Sequence, residues 1–375
     1  MTEPIRVIHN VSSLHFGGLQ AFIVNIYHNI DREKVQFDFV VTPEEKTGLY
    51  EQVAQLGGRV FVCPKYTGKN HFAYCKWWND FFTEHPEYHV IHGHVRSTAA
   101  IYLRIAKKHG LVTIVHSHST SNGKGISSLV KDVMQLPIRN IADYLFACSD
   151  KAGKWLFGEH ALSRANYRMI PNGVDLARFA YDENKRNEVR EKLGIRQGEF
   201  VIGHIGRFSE PKNHTFLVQL FAEYHKINPD SRLLMVGDGE KFESVKAECR
   251  QLGIYEHVIM PGGRTDTEGF YQVMDVFAFP SLWEGLPVSV VEAQANGLPC
   301  LISDVITRDV HLTDLVEYLP LSDQHAWIKP LEEAKKRGHH PITAENRERL
   351  QPFDSKNVAE ELQAFYLEQD KRARI

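Results

Sequence analysis

The feature that most limits what this chain can become is a rhythm that runs, stops and starts again. Short runs rich in β-branched residues are IRVIHNV (5–11), VQFDFVV (35–41), RVFVC (59–63), YHVIH (88–92), LVTIVH (111–116) and YLFAC (144–148). They alternate with amphipathic stretches such as LQAFIVNIYHNI, TGLYEQVAQLGG and STAAIYLRIAKKHG, the last two stopped by Gly. Near-continuous hydrophobicity is what a parallel strand covered on both faces needs, and a strand-helix repeat closes into a doubly wound sheet. After RMIPNGVDLARF (168–179) and the charged DENKRNEVREKLGI, new strands follow: FVIGHIG (200–206), RLLMVG (232–237), HVIMPG (257–262), DVFAFP (275–280) and PCLIS (299–303). The expectation is an α/β chain of two such domains, 1–170 and 171–352, with an amphipathic helix over 353–375 that packs back on the first.

Length agrees, since 375 residues exceed one ordinary core, and 43% hydrophobic with 24% charged residues reads as soluble and globular. No apolar run approaches the ~20 residues of a membrane span, and MTEPIRVIHN opens on a strand without a signal segment, so a cytoplasmic protein is expected. The five cysteines, odd in number and never in a C-x-x-C pair, read as reduced core thiols. Charge is uneven: residues 1–170 carry 19 Lys/Arg against 14 Asp/Glu, the remainder 25 against 33. Either the first half meets something anionic, such as a membrane surface or a phosphorylated lipid, or both halves are ordinary solvated surfaces. Lys107, Lys108, Lys124, Lys131 and Arg139, with Trp77 and Trp78, are the candidate lipid-docking face. Nucleic acid is not an expected partner.

Doubly wound sheets bind ligands outside the carboxyl ends of their strands, so the loops after strands matter most. In LHFGGLQAF, Gly17 and Gly18 permit close backbone approach beside a helix start. The loop is neither G-x-G-x-x-G nor G-K-[ST], which argues against a nicotinamide cofactor and a P-loop nucleotidase. In GHIGRFSEPKNHTFLVQLF, Arg207 and Lys212 stand in the loop after Gly206, and Asn213 is a candidate N-cap. Two cations beside a helix N-terminus suit a diphosphate; exposed surface cations are the plainer reading. In SLWEGLPVSVVEAQANGLP, Glu284 lies in a loop and Glu292 in the second turn of a helix ended by Gly297. Carboxylates there accept bonds from sugar or ribose hydroxyls, and the amides of Gly285 to Val288, less Pro287, are free for phosphate. VIHGHVRS (90–97) and IVHSHSTSNGK (114–124) each end a strand in His-x-His, with Arg96 a further candidate contact. A zinc reading of His92, His94, His116 and His118 lacks a carboxylate or Cys at matching positions, so contacts to a hydroxylated ligand, or a satisfied core for His92, are preferred.

Taken together, GGLQ, the strand-end His116, IPNGVD, IGRFSEPKNH, VGDGE, PGGR and DVFAFPSLWEGLPVSVVEAQANGLPCLISD resemble glycosyltransferase family 4, and within it the bacterial capsule and exopolysaccharide transferases. The resemblance covers most of the chain and is strongest over 168–304; the Glu-x7-Glu element with its flanks is its most specific part. It implies the GT-B fold, two doubly wound Rossmann-like domains with an inter-domain cleft and a C-terminal helix crossing back. The first domain is then the acceptor side and the second the nucleotide-sugar side. By position it implies that Arg207 and Lys212, after Gly206, bind the donor diphosphate, that Glu284 contacts the donor sugar and Glu292 the ribose, and that Gly285 and Leu286 offer amides. Gly17 and Gly18 match the loop closing over the phosphates, and Gly262 to Arg264 lie near the base. His116 matches the histidine beside the donor sugar, with His118 the alternative in the doubled HSH.

The implied reaction is retaining transfer from a nucleoside-diphosphate sugar, a UDP-sugar by family weight, to a lipid-linked or oligosaccharide acceptor in surface polysaccharide synthesis. Peripheral contact with the inner face of the membrane goes with such an acceptor. No D-x-D occurs and Asp238-Gly239-Glu240 is the nearest acidic pair, so no cofactor and no metal are expected. Rival readings are a sugar-nucleotide epimerase of the same architecture and a non-catalytic sugar-nucleotide-binding protein.

Overall fold

The structure, a computed structural model, describes residues 3–15, 18–43, 48–119 and 126–374. It divides into two compact units, Met1–Val174 with Pro352–Ile375, and Asp175–Gln351. In unit 1 the strands are β1 (Ile5–Asn10), β2 (Val35–Val41), β3 (Val60–Val62), β4 (Tyr88–Gly93), β5 (Val112–Ser117), β6 (Tyr144–Ala147) and β7 (Tyr167–Met169). They form one sheet in the order β3-β2-β1-β4-β5-β6-β7. Every pairing is parallel, with β1 between β2 (Ile8 opposite Asp38) and β4 (Ile8 opposite Ile91). In unit 2 they are β8 (Phe200–Ile205), β9 (Ser231–Val236), β10 (Val258–Gly262), β11 (Val276–Phe279), β12 (Cys300–Ser303) and β13 (Val316–Leu319), again all parallel, in the order β10-β9-β8-β11-β12-β13.

Both sheets reverse winding direction at one place, between β1 and β4 in unit 1 and between β8 and β11 in unit 2. Neighbouring loops there leave in opposite directions and open a crevice, the usual ligand position in this architecture. The strands absent from the sequence reading are β7 and β13, edge strands of 3 and 4 residues whose hydrophobicity is too short to announce itself.

The last helix, Ser355–Ala373, belongs to unit 1. Val358, Ala359, Leu362, Phe365 and Tyr366 recur at helical spacing, and all are buried in the core built on β1, β2, β4 and the helix Gly18–Asn29. Each large apolar side chain there contributes about 1.5–3 kcal/mol relative to exposure. Asp354 caps the helix by accepting from the Lys356 amide. The entry is pinned by Val174, whose amide donates to Phe353 O (2.8 Å) and whose carbonyl accepts from Ser355 N (2.9 Å). Gly173 makes this approach possible, because a Cβ there would lie 2.8 Å from Ser355 Cα.

Two expectations need correction. Trp78 cannot dock on lipid: it is fully buried, stacked on Phe82 and Tyr102. Its neighbour Trp77 stacks on Phe81, and Lys107 is occupied by Asp143 and Ile141 O, while Lys124 lies outside the described residues. Of the cysteines, Cys63, Cys148, Cys249 and Cys300 are buried free thiols, but Cys75 is only partly buried. No helix among the described residues is long and apolar enough to cross a membrane.

Candidate active site

In unit 2 the two loops at the winding reversal are laced together. β8 and β11 are already tied below them, where buried His204 donates from Nδ1 to Ala278 O at 3.0 Å. Above, Leu282 N donates to Pro211 O (2.7 Å), Asn213 Nδ2 to Pro280 O (3.2 Å), and Lys212 Nζ meets Glu284 Oε1 at 2.7 Å. The Lys212 ammonium also stands 4.6 Å over the Phe279 ring, and it and Glu284 keep only 18% and 15% of their side-chain surface exposed. Lys212 and Glu284, read separately from the sequence, are thus one ion pair, each neutralising the other.

Asn213 does not cap the helix His214–Ile227 with its side chain, as the sequence suggested. It adopts φ 53° and turns its amide to the other loop, so the first turn has no side-chain cap. Asn is among the few residues that tolerate this left-handed conformation. Arg207 is apart from the pair: its side chain is 75% exposed and holds Glu240 at 3.5 Å, a weak surface contact. The loop around it is fixed by backbone packing, since a Cβ on Gly237 (φ +151°) would come within 2.0 Å of Gly206 O. The Gly237 amide donates to Gly262 O (3.0 Å), which brings the end of β10 beside this loop. Arg264, two residues on, is engaged by Asp266 at 2.7 Å on the surface.

Beyond Glu284 the backbone amides of Gly285 and Leu286 make no hydrogen bond among the described residues, and Pro287 leads into the helix Val288–Asn296. Such uncommitted donors at a helix start are suited to anionic oxygen. Glu292, on that helix, accepts from Tyr271 Oη at 2.6 Å. Burial raises its carboxyl pKa to about 7, against the lowering effect of the Tyr271 hydroxyl and the Arg178 charge. The two glutamates therefore occupy distinct environments, one paired to a cation and one poised near neutrality.

In unit 1 the strand ends carry five histidines in contact, His9 from β1, His92 and His94 from β4 and the loop after it, His116 and His118 from β5 and its loop. Partners fix their protons. Ile170 O can only accept, so His116 donates to it from Nε2 (3.3 Å); His92 Nε2 then donates to His116 Nδ1 (3.2 Å), and Tyr366 Oη donates to His92 Nδ1 (2.6 Å). In a second string, His118 Nδ1 meets Asn172 Oδ1 (3.1 Å), His118 Nε2 meets His94 Nδ1 (2.9 Å), and His94 Nε2 meets His9 Nδ1 (3.2 Å). Buried His9 Nε2 ends that string without a partner among the described residues.

Burial holds all five rings neutral, pushing His92, His94 and His116 well below the usual histidine range and His9 and His118 down to about 3. Neutral imidazoles are the form that ligates metal, and the ligand atoms of His9, His92 and His94, like those of His94, His116 and His118, lie within 4.8 Å of one another. Yet no carboxylate accompanies them among the described residues, and all their nitrogens but one are already hydrogen-bonded to each other or to Tyr366, Asn172 and Ile170.

Both rings have both nitrogens engaged, but His116 has no exposed surface whereas His118 is partly exposed, so His118 is the outer ring of the doubled motif. Gly18 opens the helix Gly18–Asn29, whose Phe22 packs edge-on against His116 (5.7 Å); Gly17 lies outside the described residues. Arg96 follows β4 with its guanidinium over Trp155 at 4.6 Å. Sequence reasoning missed Asn172, Tyr271, Tyr366 and His204. Only Asn172 carried a signal, as part of the quoted IPNGVD; the others act across 21 to 274 residues of separation, where no spacing rule reaches.

Comparison with known proteins adds to this geometry. The profile of Glycosyl transferases group 1 matches residues 185–329 and that of Glycosyltransferase Family 4 residues 16–178. EpsF of Bacillus subtilis (strain 168), which bears a provisional glycosyltransferase name, is 34% identical over 341 residues, covering 89% of this chain and 88% of its own. An Escherichia coli UDP-Gal:alpha-D-GlcNAc-diphosphoundecaprenol alpha-1,3-galactosyltransferase is 28% identical over 230 residues, 58% of each chain. Anabaena HepE, solved in complex with UDP and glucose, superposes with a TM-score of 0.78 at 17% identity, covering 96% of this chain and 99% of that one. WaaG, a glycosyltransferase involved in lipopolysaccharide biosynthesis, gives 0.68 at 16% identity over 98% of both.

Proposed function

Because the chain belongs to the group 1, family 4 glycosyltransferases and has their two-unit GT-B fold, we propose that it moves a sugar from UDP to a lipid-linked or oligosaccharide acceptor, with retention, in surface polysaccharide or glycolipid synthesis. UDP as the carrier is supported by HepE, solved with UDP and glucose, and by the E. coli relative, named for UDP-Gal. The observation that carries the reading is the Lys212–Glu284 pair at 2.7 Å on the laced loops of unit 2. A bound donor replaces each partner: the diphosphate takes Lys212 and the sugar hydroxyls take Glu284. Arg207 and the amides of Gly285 and Leu286 add charge and donors to the phosphates, Glu292 takes the ribose, and Gly262 and Arg264 border the base. In unit 1 the strand-end histidine role falls to His118.

The chemistry follows from these contacts. The bond from the anomeric carbon to the diphosphate oxygen breaks, and the acceptor oxygen bonds to that carbon from the same face. The acceptor's proton passes to the leaving diphosphate. Lys212, Arg207 and the helix starts stabilise the departing charge, so the proposal needs no metal. Burying this cationic loop against diphosphate also explains why its lysine is held by a replaceable carboxylate. The test is UDP release in the presence of UDP-sugars and a diphosphate-linked acceptor. Donor consumption without acceptor would instead mark an epimerase, and UDP binding with no turnover a binding protein.

A further inference from the structure

Buried arginines elsewhere in the chain have acceptors. Arg6 grips Asp38 through two nitrogens at 2.6 Å, and Arg190 donates to Val273 O and Glu199 O. Arg96 differs. Its Nη1 has no accessible surface and no hydrogen-bond partner, and its guanidinium rests on the Trp155 ring with no acceptor among the described residues. Burial lowers its pKa to about 10, with the charges of Cys148 and Asp132 only partly opposing. An aromatic face orients a guanidinium but leaves its in-plane donors unused.

The surroundings repeat the theme. Arg96 lies just ahead of the helix Ala99–Lys108, whose N-cap Thr98 makes no side-chain cap and whose first turn holds no acid. The Thr98 hydroxyl instead accepts from Tyr74 Oη at 3.1 Å. On the next strand end stands His118, close enough for the Arg96 charge to depress its protonation. A planar fork of unused donors, an uncapped helix start and a neutral, partly exposed imidazole thus meet at the carboxyl ends of β4 and β5. Phosphate matches that fork two oxygens at a time.

We propose that Arg96 binds a phosphate of the acceptor, the phosphate that links its glycan to lipid, an inference that rests on the glycosyltransferase reading above. The rival source of the same chemistry is the donor's diphosphate. Acceptor phosphate is favoured because unit 2 has its own cationic loop for the donor, and because the E. coli relative is named for a diphosphoundecaprenol-linked acceptor. The excess of Lys and Arg in residues 1–170 points the same way.

The experiment is calorimetric titration of the full chain with inorganic pyrophosphate and, separately, with UDP. In R207A/K212A, which removes the unit 2 cations, one pyrophosphate still binds, and adding R96Q weakens it about tenfold or more; R96Q alone binds UDP within about twofold of the parent. R96K keeps the charge on Trp155 but loses the fork, so it falls between, and it replaces R96Q if that variant does not fold. Pyrophosphate binding that is absent from R207A/K212A, or indifferent to Arg96 variants, overturns the proposal. UDP affinity falling with R96Q as far as pyrophosphate affinity assigns the anion to the donor and overturns it too. If pyrophosphate binding depends on Arg96 but no UDP-sugar supports transfer, the phosphate site stands and the functional reading fails.

Discussion

The two winding reversals solve the same topological problem with opposite chemistry. In unit 1 five neutral imidazoles interlock at the ends of β1, β4 and β5, and almost every nitrogen is committed inside the unit. In unit 2 the loops after β8 and β11 are joined by two hydrogen bonds and an ion pair, Lys212–Glu284, beside amides with no partner among the described residues. The first arrangement satisfies all but one of its ring nitrogens from within the unit. The second keeps a charged pair of mostly buried side chains, and under the proposed function a donor would take the place of each partner. Neutral hydrogen-bonded rings in one unit and a paired charge in the other are a difference the shared fold does not reveal.

Breaking the charged side should have the largest effect. K212A and E284A are each expected to lower transfer about a hundredfold or more, as loss of a group stabilising developing charge does elsewhere. UDP release assayed with acceptor checks this; activity within threefold of the parent in either variant refutes the assignment.

Next comes the interlocked side. Y366F removes the only donor to His92 Nδ1 in the Tyr366–His92–His116 string, leaving a buried acceptor bare, at a cost of about 1–3 kcal/mol. Thermal melting should show unit 1 losing several degrees while UDP affinity holds; an unchanged melting temperature would mean the string is not fixed as described.

The pH response should separate the two sides further. A histidine whose folded pKa lies below its ordinary 6.5 contributes stability above pH 6.5 and loses it as pH falls toward the folded value, about 3 for His9 and His118. Unit 2 holds His204, His214 and His339 neutral in the same way. It also has Glu292, raised from 4.5 to about 7, whose contribution is full below pH 4.5 and lost as pH rises through 7. Amide exchange between pH 7 and 4 should therefore show unit 1, with its five touching rings, losing protection first; equal losses would erase the contrast. The smallest effect is expected from E292Q, which keeps the shape of the protonated carboxyl and should raise melting at pH 8 by about 2 °C or more while leaving pH 5 unchanged.

Much of this was legible in the sequence. The restart of the strand rhythm gave two parallel sheets, because strands covered on both faces must be continuously apolar. The loops after β8 and β11 were singled out because ligand loops follow strands, and the structure brings them together. What could not be read was pairing at a distance. That Lys212 would hold Glu284, 72 positions on, depends on which strands neighbour the reversal, and no local spacing encodes it. Tyr366 reaches His92 only because the last helix lies on unit 1. That His118 and not His116 reaches the surface could not be read either, because two residues on one strand end look alike in sequence.

The central claim is that Lys212 serves the diphosphate and Glu284 the sugar, each masking the other until the donor binds. Calorimetry of UDP and UDP-glucose on the parent, K212A and E284A tests it directly. K212A should weaken both ligands about tenfold or more, whereas E284A should weaken UDP-glucose but leave UDP unchanged or tighter, because Lys212 is released. Equal loss of UDP and UDP-glucose in E284A, or unaltered UDP binding in K212A, would contradict it.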